Sequence, residues 1–372
     1  MKQMLCLLLS CLLLLTGCAS RQLEEELLVI VLTVDRLSEN NVAVSVKAPR
    51  NGPGEGGDDD KYLTVEATGK SFSDALTMLN AATPRPLSFS QVREVIIGEA
   101  AAVQDDFAHL LRQIDALPRF RCSAAVIVCK GEAREFSKAQ KPYLGTRLSR
   151  YAETTLSNYA GKGFTPKTTL CDGVRDLGFG FSDPLFILGA VNDFSEEAPD
   201  DNEKTLDREA GGLPRKSAEA VEVFGAAATD GVKVSGFLTG YEIALLHLMD
   251  GHVEALSLRD QEGNAVRVTA LRPAEIQVDL KQHPIRLSLR VFCEGQHSPG
   301  SSPDAKALQS QIQKDIAALI SHLQALRCDG VGFGKTAVRQ CLTVQGWESL
   351  GWREAYCNAI AKVQVVFALR ES

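Results

Sequence analysis

One cysteine near the start of the chain stands in a context that directs covalent chemistry. Lys2 is followed by an apolar run from Met4 to Leu15, and Leu15-Thr16-Gly17-Cys18 closes it. A positively charged start, a short apolar stretch and small residues before the cleavage site are typical of a secretory leader. The apolar stretch is too short for a membrane span, which needs about 20 apolar residues. Leu-Thr-Gly-Cys matches the lipobox of bacterial lipoproteins, whose cysteine takes a diacylglyceryl group. We therefore predict a signal peptide over 1–17 and a lipid on Cys18; an ordinary cleaved leader with a chance cysteine is the alternative.

A second candidate for chemistry is the stretch from Asp329 to Thr336, which holds three glycines before Lys335-Thr336. It is similar to a phosphate-binding loop, but the register fails because the first glycine of that motif would have to stand at position 329. A helix pattern also precedes it where the motif requires a strand. We interpret the stretch as the end of a helix followed by a turn.

The remaining candidate groups for catalysis or metal binding are isolated. His247 and His252 are five residues apart, so they do not share a helix face as paired metal ligands would. Glu242 has no visible catalytic partner, and a satisfied polar helix residue is the better interpretation. The acidic triplet at 58–60 lacks the spacing of a calcium loop and is interpreted as a solvated turn. We predict no catalytic residue, no metal, no cofactor and no enzymatic activity.

The ten cysteines do not assign any disulfide. Two leave with the leader and one carries the predicted lipid, so seven remain, an odd number without any Cys-x-x-Cys pair. Cys122 and Cys129 are seven apart in a strand-like stretch, which places them on opposite faces and argues against a bond between them. Buried small hydrophobic residues are the favoured interpretation, although a compartment outside the membrane permits disulfides. The other five are Cys171, Cys293, Cys328, Cys341 and Cys357.

Composition and periodicity indicate an α+β protein with mixed α/β layering. The 372 residues suffice for two or three domains, and the net charge of -7 argues against nucleic acid as the main partner. Strand patterns interleave with helix patterns throughout. The clearest helix starts at Ser302-Pro303-Asp304, where we expect Ser302 to cap and Pro303 to take the first helical position. We predict its end near Gly330.

The predicted organisation follows the chain in order. A lipidated N-terminus and tether over 18–26 precedes an N-terminal α/β region over 27–194, of one or two subdomains. The segment 195–217 is rich in acidic residues, glycine and proline and poor in large apolar ones, so we expect a flexible acidic linker. A C-terminal α/β domain over 218–372 follows.

Several segments together resemble the GerC family of spore germination lipoproteins, the C subunits of germinant receptors. The C-terminal half resembles the family in Gly236–Glu242 after two strands, in the long helix running into Asp329–Gly334, and in Trp347 and Trp352 before a valine-rich strand. In the first half, the lipobox and the segments Gly69–Leu79 and Gln91–Ala101 fit in order. The resemblance covers essentially the whole mature chain. It departs at Ala19-Ser20, where the family often has Trp-Asp.

The resemblance implies small mixed β-sheets flanked by helices and a non-catalytic subunit on the outer face of the spore inner membrane. Its partners would be the membrane itself, through the lipid, and two integral A and B subunits. Confinement by a lipid raises the effective concentration near such partners. Phe237, Trp347 and Trp352 are candidate contacts, although buried packing is the favoured interpretation for each. A generic extracytoplasmic substrate-binding lipoprotein is the alternative, weakened by an aromatic content of only 6%.

Overall fold

The computed structural model describes residues 25–49, 62–141, 148–192, 206–215, 220–252, 256–259 and 263–371. Cys18, the predicted leader and the acidic triplet at 58–60 lie outside this part of the chain. The strands are β1 Leu27–Leu28, β2 Val31–Ser38, β3 Asn41–Pro49, β4 Tyr62–Gly69, β5 Leu87–Ser88, β6 Glu94–Gly98, β7 Ala125–Cys129, β8 Leu185–Val191, β9 Val221–Thr229, β10 Val234–Leu238, β11 Leu256–Arg259, β12 Ala265–Asp279, β13 Arg286–His297 and β14 Ile360–Glu371.

The helices alternate with these strands along the chain, as the sequence pattern predicts. They are α1 Phe72–Ala82, α2 Glu99–Ala102, α3 Phe107–Asp115, α4 Ala133–Ala139, α5 Leu148–Gly161, α6 Leu170–Phe179, α7 Gly240–Asp250, α8 Ala305–Ala325, α9 Phe333–Ala337, α10 Val344–Leu350 and α11 Trp352–Cys357, with a short 3₁₀ turn at Val338–Gln340. The α+β class is confirmed.

The larger sheet has eight strands in the order β10-β9-β8-β7-β6-β2-β3-β4, more than the small sheets expected. Its central strands β2, β6, β7 and β8 are parallel and almost fully buried. Helices cover both faces: Phe72, Phe107 and Leu170 belong to the core on one side, and Phe136 to the core on the other. Burial on two faces explains why these strands read as continuous apolar runs.

The eight-stranded sheet continues past the boundary predicted at 195–217. β9 and β10 lie on the C-terminal side of that boundary, yet β9 pairs with β8. The interpretation of 195–217 as a flexible linker is wrong for residues 206–215. Ala210 donates from its backbone to Phe224, and the buried carboxylate of Glu222 accepts from the backbone of Gly211 and from Arg215. Polar contacts place this segment together with apolar ones, since Ala210 is buried beside Phe224 and both Leu206 and Leu213 pack against the same core.

A four-stranded sheet has the order β11-β12-β13-β14, with β14 parallel to β13 and the other pairs antiparallel. The short strands β1 and β5 pair in parallel as a separate two-stranded sheet. Within the described part of the chain, helices cover one face of the four-stranded sheet: α7 and α8 pack there around a core that includes Leu245, Leu289 and Ile316. Residues along β13 and β14 therefore alternate between buried and exposed.

Three details of this region differ from the prediction. Asp304, not Ser302, caps α8: its carboxylate accepts from the backbone N–H groups of Lys306 and Ala307, and the helix begins at Ala305, after Pro303. The helix ends at Ala325, earlier than expected, and Arg327 takes a φ of 58°. The apolar patterns of Val266–Leu271 and Ile276–Leu280 predict two separate strands, whereas the structure has one long strand, β12, with irregular pairing between them.

Cys122 and Cys171 form a disulfide with a Cα–Cα distance of 5.2 Å, so the small-hydrophobe interpretation is wrong for these two. The bond joins the loop before β7 to the first turn of α6. Cys129 is free and buried, as are Cys293 and Cys328. The bonded cysteines are 49 positions apart in the sequence, and the fold brings them together.

Candidate functional site

The turn after α8 is organised by the carboxylate of Asp329, which is 2% exposed. One oxygen accepts from the backbone N–H groups of Gly332 and Phe333, both at 2.9 Å, and the other accepts from Gly334 at 2.7 Å. These donors form a concave anion-binding turn of the kind that holds phosphates elsewhere. In this protein the carboxylate of Asp329 is the anion that the turn binds. Asp329 is also the residue that stands where a phosphate loop requires its first glycine, which gives the mismatch with that motif a physical explanation.

The same carboxylate connects the turn to the tryptophans. Trp352 donates from Nε1 to the second oxygen of Asp329 at 3.0 Å. Gly334 permits this arrangement, because a Cβ at that position would lie 2.6 Å from Trp352 Nε1. Burial raises the pKa of Asp329 to about 6, while the backbone N–H groups and the indole act in the opposite direction.

An ion pair between the buried Asp183 and the half-buried Arg353 lies directly behind this turn. Asp183, which precedes β8, accepts from Arg353 at 2.8 and 3.2 Å and from the backbone N–H of Asp329 at 2.8 Å. Burial raises the pKa of Asp183, and the charge of Arg353 opposes that shift. The pair therefore connects the eight-stranded sheet to α11, across 170 positions of sequence. No motif or spacing in the sequence indicates a role for Asp183 or Arg353.

An aromatic row extends from the buried turn to the surface. Trp352 is 6% exposed, and its ring centre lies 5.7 Å from that of Trp347 in a stacked geometry. Phe181 contacts Trp347 edge-on at 5.5 Å and stacks on Phe179 at 5.6 Å. Phe179 is 61% exposed, so the row ends in solvent.

Two aliphatic side chains near the row are fully or largely exposed. Leu342, just before α10, is 101% exposed, and Val344, at the start of α10, is 75% exposed. Trp347, on the same helix, is only partly buried. We refer to Leu342, Val344 and Trp347 as the α10 surface. A cluster of exposed apolar residues beside an aromatic row is typical of an interaction site.

Phe237 lies elsewhere, on β10. It packs partly against the cores of the eight-stranded sheet, and the ammonium of Lys130 lies 5.5 Å from its ring centre. The structure thus brings together two of the three predicted contacts, Trp347 and Trp352, and separates Phe237 from them. Buried packing describes Trp352, whereas Trp347 reaches the surface.

The isolated polar candidates have structural partners. Glu242 forms a capping box with Thr239 and lies 2.7 Å from Nδ1 of His322. His247 is buried with Nε2 2.9 Å from the carbonyl of Thr165, and burial lowers its pKa. Glu242 is therefore a satisfied polar helix residue, as the sequence indicated.

Two family models together cover most of the chain, so the chain belongs to the GerAC (GerC-type) family of spore germination proteins. The model described as "Spore germination protein N-terminal domain" matches residues 19–187, and "Spore germination B3/ GerAC like, C-terminal" matches residues 224–372. The resemblance seen in the sequence is confirmed.

Individual relatives agree with this assignment. The chain is 22% identical over 361 residues to the "Putative spore germination protein YfkR" of Bacillus subtilis (strain 168), covering 94% of this chain and 91% of that protein. The crystal structure of the GerBC protein matches with a TM-score of 0.51 at 13% identity, over 91% of this chain and 96% of the GerBC chain. Among the described residues, no helix is long and apolar enough to cross a bilayer.

Proposed function

We propose that this protein is the lipid-anchored, non-catalytic C subunit of a nutrient germinant receptor, acting with integral A and B subunits to trigger spore germination. The observation that carries the proposal is the pairing of a lipobox at Cys18 with the two family domains in order behind it. The proposed location is the outer face of the spore inner membrane. Two or more acyl chains on Cys18 would make the attachment firm, since one chain alone binds marginally.

The anchor is tested by replacing its sulfur. Cys18→Ala should leave the protein unprocessed or released from the membrane fraction and should reduce the germination response. Cys341→Ala is the matched control, because that cysteine is free and lies in the folded part of the chain. Membrane association of Cys18→Ala equal to that of the control would contradict the anchor.

The receptor role is tested by deletion in the sporulating host. Spores lacking the gene should lose the response to at least one nutrient in a panel, and the wild-type gene supplied in trans should restore it. A normal response to every nutrient, in a strain that also lacks paralogous receptors, would refute the role.

We further propose that the α10 surface contacts an integral subunit, with Trp352 supporting it from behind, and that Phe237 marks a separate contact on β10. Leu342 and Val344 are already exposed, so charged replacements there cost little folding energy. Leu342→Glu/Val344→Glu should abolish co-purification with the A and B subunits. Gln345→Glu, on the same exposed helix, is the control; co-purification at equal yield from both variants would rule out this contact.

A further inference from the structure

The open face of the four-stranded sheet carries a concentration of positive charge. Residues that face solvent alternate with buried ones along β12, β13 and β14, and the strand register aligns the outward positions of neighbouring strands. Seven of these outward residues are cationic and three are acidic, a net of +4 in a chain whose total is -7. The cations are Arg259, Arg267, Arg272, Arg286, Arg290, Lys362 and Arg370, and the acids are Glu275, Asp279 and Glu294.

Part of this charge is neutralised within the face. Glu275 pairs with Arg272 at 2.8 Å and lies 4.0 Å from Arg290, and Glu294 pairs with Arg370 at 3.3 Å. The other four cations, Arg259, Arg267, Arg286 and Lys362, form no ion pair with any residue in the described part of the chain. All four are exposed. No ion pair within the described face therefore neutralises these four charges, although Asp279 lies opposite Arg286 in the strand register.

Apolar groups lie among these cations. Phe292 faces outward but is only 8% exposed, because Arg272 and Arg290 stack over its ring at 3.6 and 5.1 Å. Ile360 and Val366 on β14 are 53% and 37% exposed. Strands of 12 to 15 residues make a face about 40 Å long. This is an extended surface of mixed arginine and aliphatic groups.

We propose that this face docks on the anionic headgroups of a phospholipid bilayer. Each Lys or Arg near an anionic membrane contributes attraction that decays within a Debye length of about 10 Å, so an extended cationic face suits a planar charged partner. The exposed aliphatic groups suit the boundary between headgroups and acyl chains. The choice of a bilayer as occupant rests on the anchor proposed at Cys18, which would hold the protein at a membrane surface.

The test measures vesicle binding without the lipid anchor. A chain starting at Ala19 retains every described residue, and its co-sedimentation is compared on phosphatidylcholine vesicles and on vesicles containing about 30% phosphatidylglycerol. We expect binding to the anionic vesicles only, weakened by raising the salt from about 50 to 500 mM. Because Cys18 is absent from this chain, failure of the anchor and failure of the docking face give separate results.

Charge reversals locate the surface. Arg286→Glu/Lys362→Glu should lower the vesicle partition coefficient at least about tenfold. Lys70→Glu/Arg112→Glu changes the net charge by the same amount at exposed positions outside the sheet. This control variant should change the vesicle partition coefficient by less than about twofold. Arg286→Gln/Lys362→Gln should fall between wild type and the reversal, and thermal unfolding checks that each variant folds. Equal loss of vesicle binding in the two charge-reversed variants would overturn the proposal. Failure of the wild-type protein to bind anionic vesicles would also overturn it, and is the outcome expected if the face instead binds an acidic protein.

Discussion

Asp329 shows how a single buried carboxylate can determine the conformation of a turn. Its two oxygens satisfy three backbone N–H groups and one indole N–H, and leaving buried donors unpaired costs about 1–3 kcal/mol each. Asp329→Ala should therefore lower the free energy of unfolding by about 3 kcal/mol or more, measured by urea denaturation. Glu348→Ala, at an exposed acid nearby, should stay within about 0.5 kcal/mol of wild type. Equal stability of the two variants would refute the assigned role.

Glu94 makes stability depend on pH. It is 1% exposed, accepts from Gln140 at 2.9 Å, and has its pKa raised to about 7 by burial. The folded protein therefore keeps a proton that the unfolded chain releases near pH 4.5, and this contribution to stability is lost as pH rises through 7.

Comparison with a neutral side chain isolates this effect. Between pH 5 and 8, wild type should lose about 3 kcal/mol of unfolding free energy relative to Glu94→Gln, since each pKa unit corresponds to about 1.4 kcal/mol. Urea unfolding at both pH values provides the measurement. Parallel pH profiles for the two proteins would show that Glu94 does not titrate in this range.

The start of α8 illustrates what sequence patterns can and cannot predict. The apolar stripe that includes Leu308, Ile312 and Ile316 predicts the helix correctly, because burial of one face requires that spacing. The same pattern predicts a cap at Ser302, whereas Asp304 is the cap, since both residue types accept from free N–H groups and spacing alone does not distinguish them. Asp304→Ala should cost about 1 kcal/mol of unfolding free energy, and Ser302→Ala almost nothing. The reverse order would restore the original assignment.

Contacts between residues that are distant in the sequence cannot be predicted from local patterns, for a related reason. Strand patterns predict which residues are buried, but not that β8 and β9 pair across the boundary at 195–217, because pairing depends on the assembled sheet. The Asp329 turn was recognised as a turn, yet its partners Asp183 and Trp352 are distant in sequence. Glu222 likewise orders residues 206–215 through polar contacts that composition does not register.

The Cys122–Cys171 bond connects α6 to the loop before β7. Closing a loop with a separation of 49 residues restricts the unfolded chain, which typically stabilises a protein by about 2–4 kcal/mol. Cys122→Ser/Cys171→Ser should lose that amount in urea denaturation. Dithiothreitol should destabilise wild type by a similar amount and leave the double variant unchanged; sensitivity of the double variant would assign the effect to another cysteine.

Asp183 and Arg353 connect the eight-stranded sheet to α11, so this pair reports on how the C-terminal part of the molecule is held against that sheet. The Asp183 side chain is 6% exposed and that of Arg353 is 31% exposed, so breaking the pair leaves a charge in a largely buried site. Arg353→Met should cost about 3 kcal/mol of unfolding free energy.

A double-mutant cycle separates the pair from its surroundings. Asp183→Asn alone removes the negative charge of the pair and leaves that of Arg353 without its partner. Asp183→Asn/Arg353→Met removes both charges and should recover part of the lost free energy of unfolding, giving a coupling energy of at least about 1 kcal/mol. Arg327→Met/Glu354→Gln, a neighbouring pair whose side chains are 48% and 68% exposed, should couple by less than about 1 kcal/mol. If Asp183 and Arg353 couple no more strongly than this exposed pair, the C-terminal part of the molecule is held against the eight-stranded sheet by apolar contacts instead, such as that of Leu185 with Gly330.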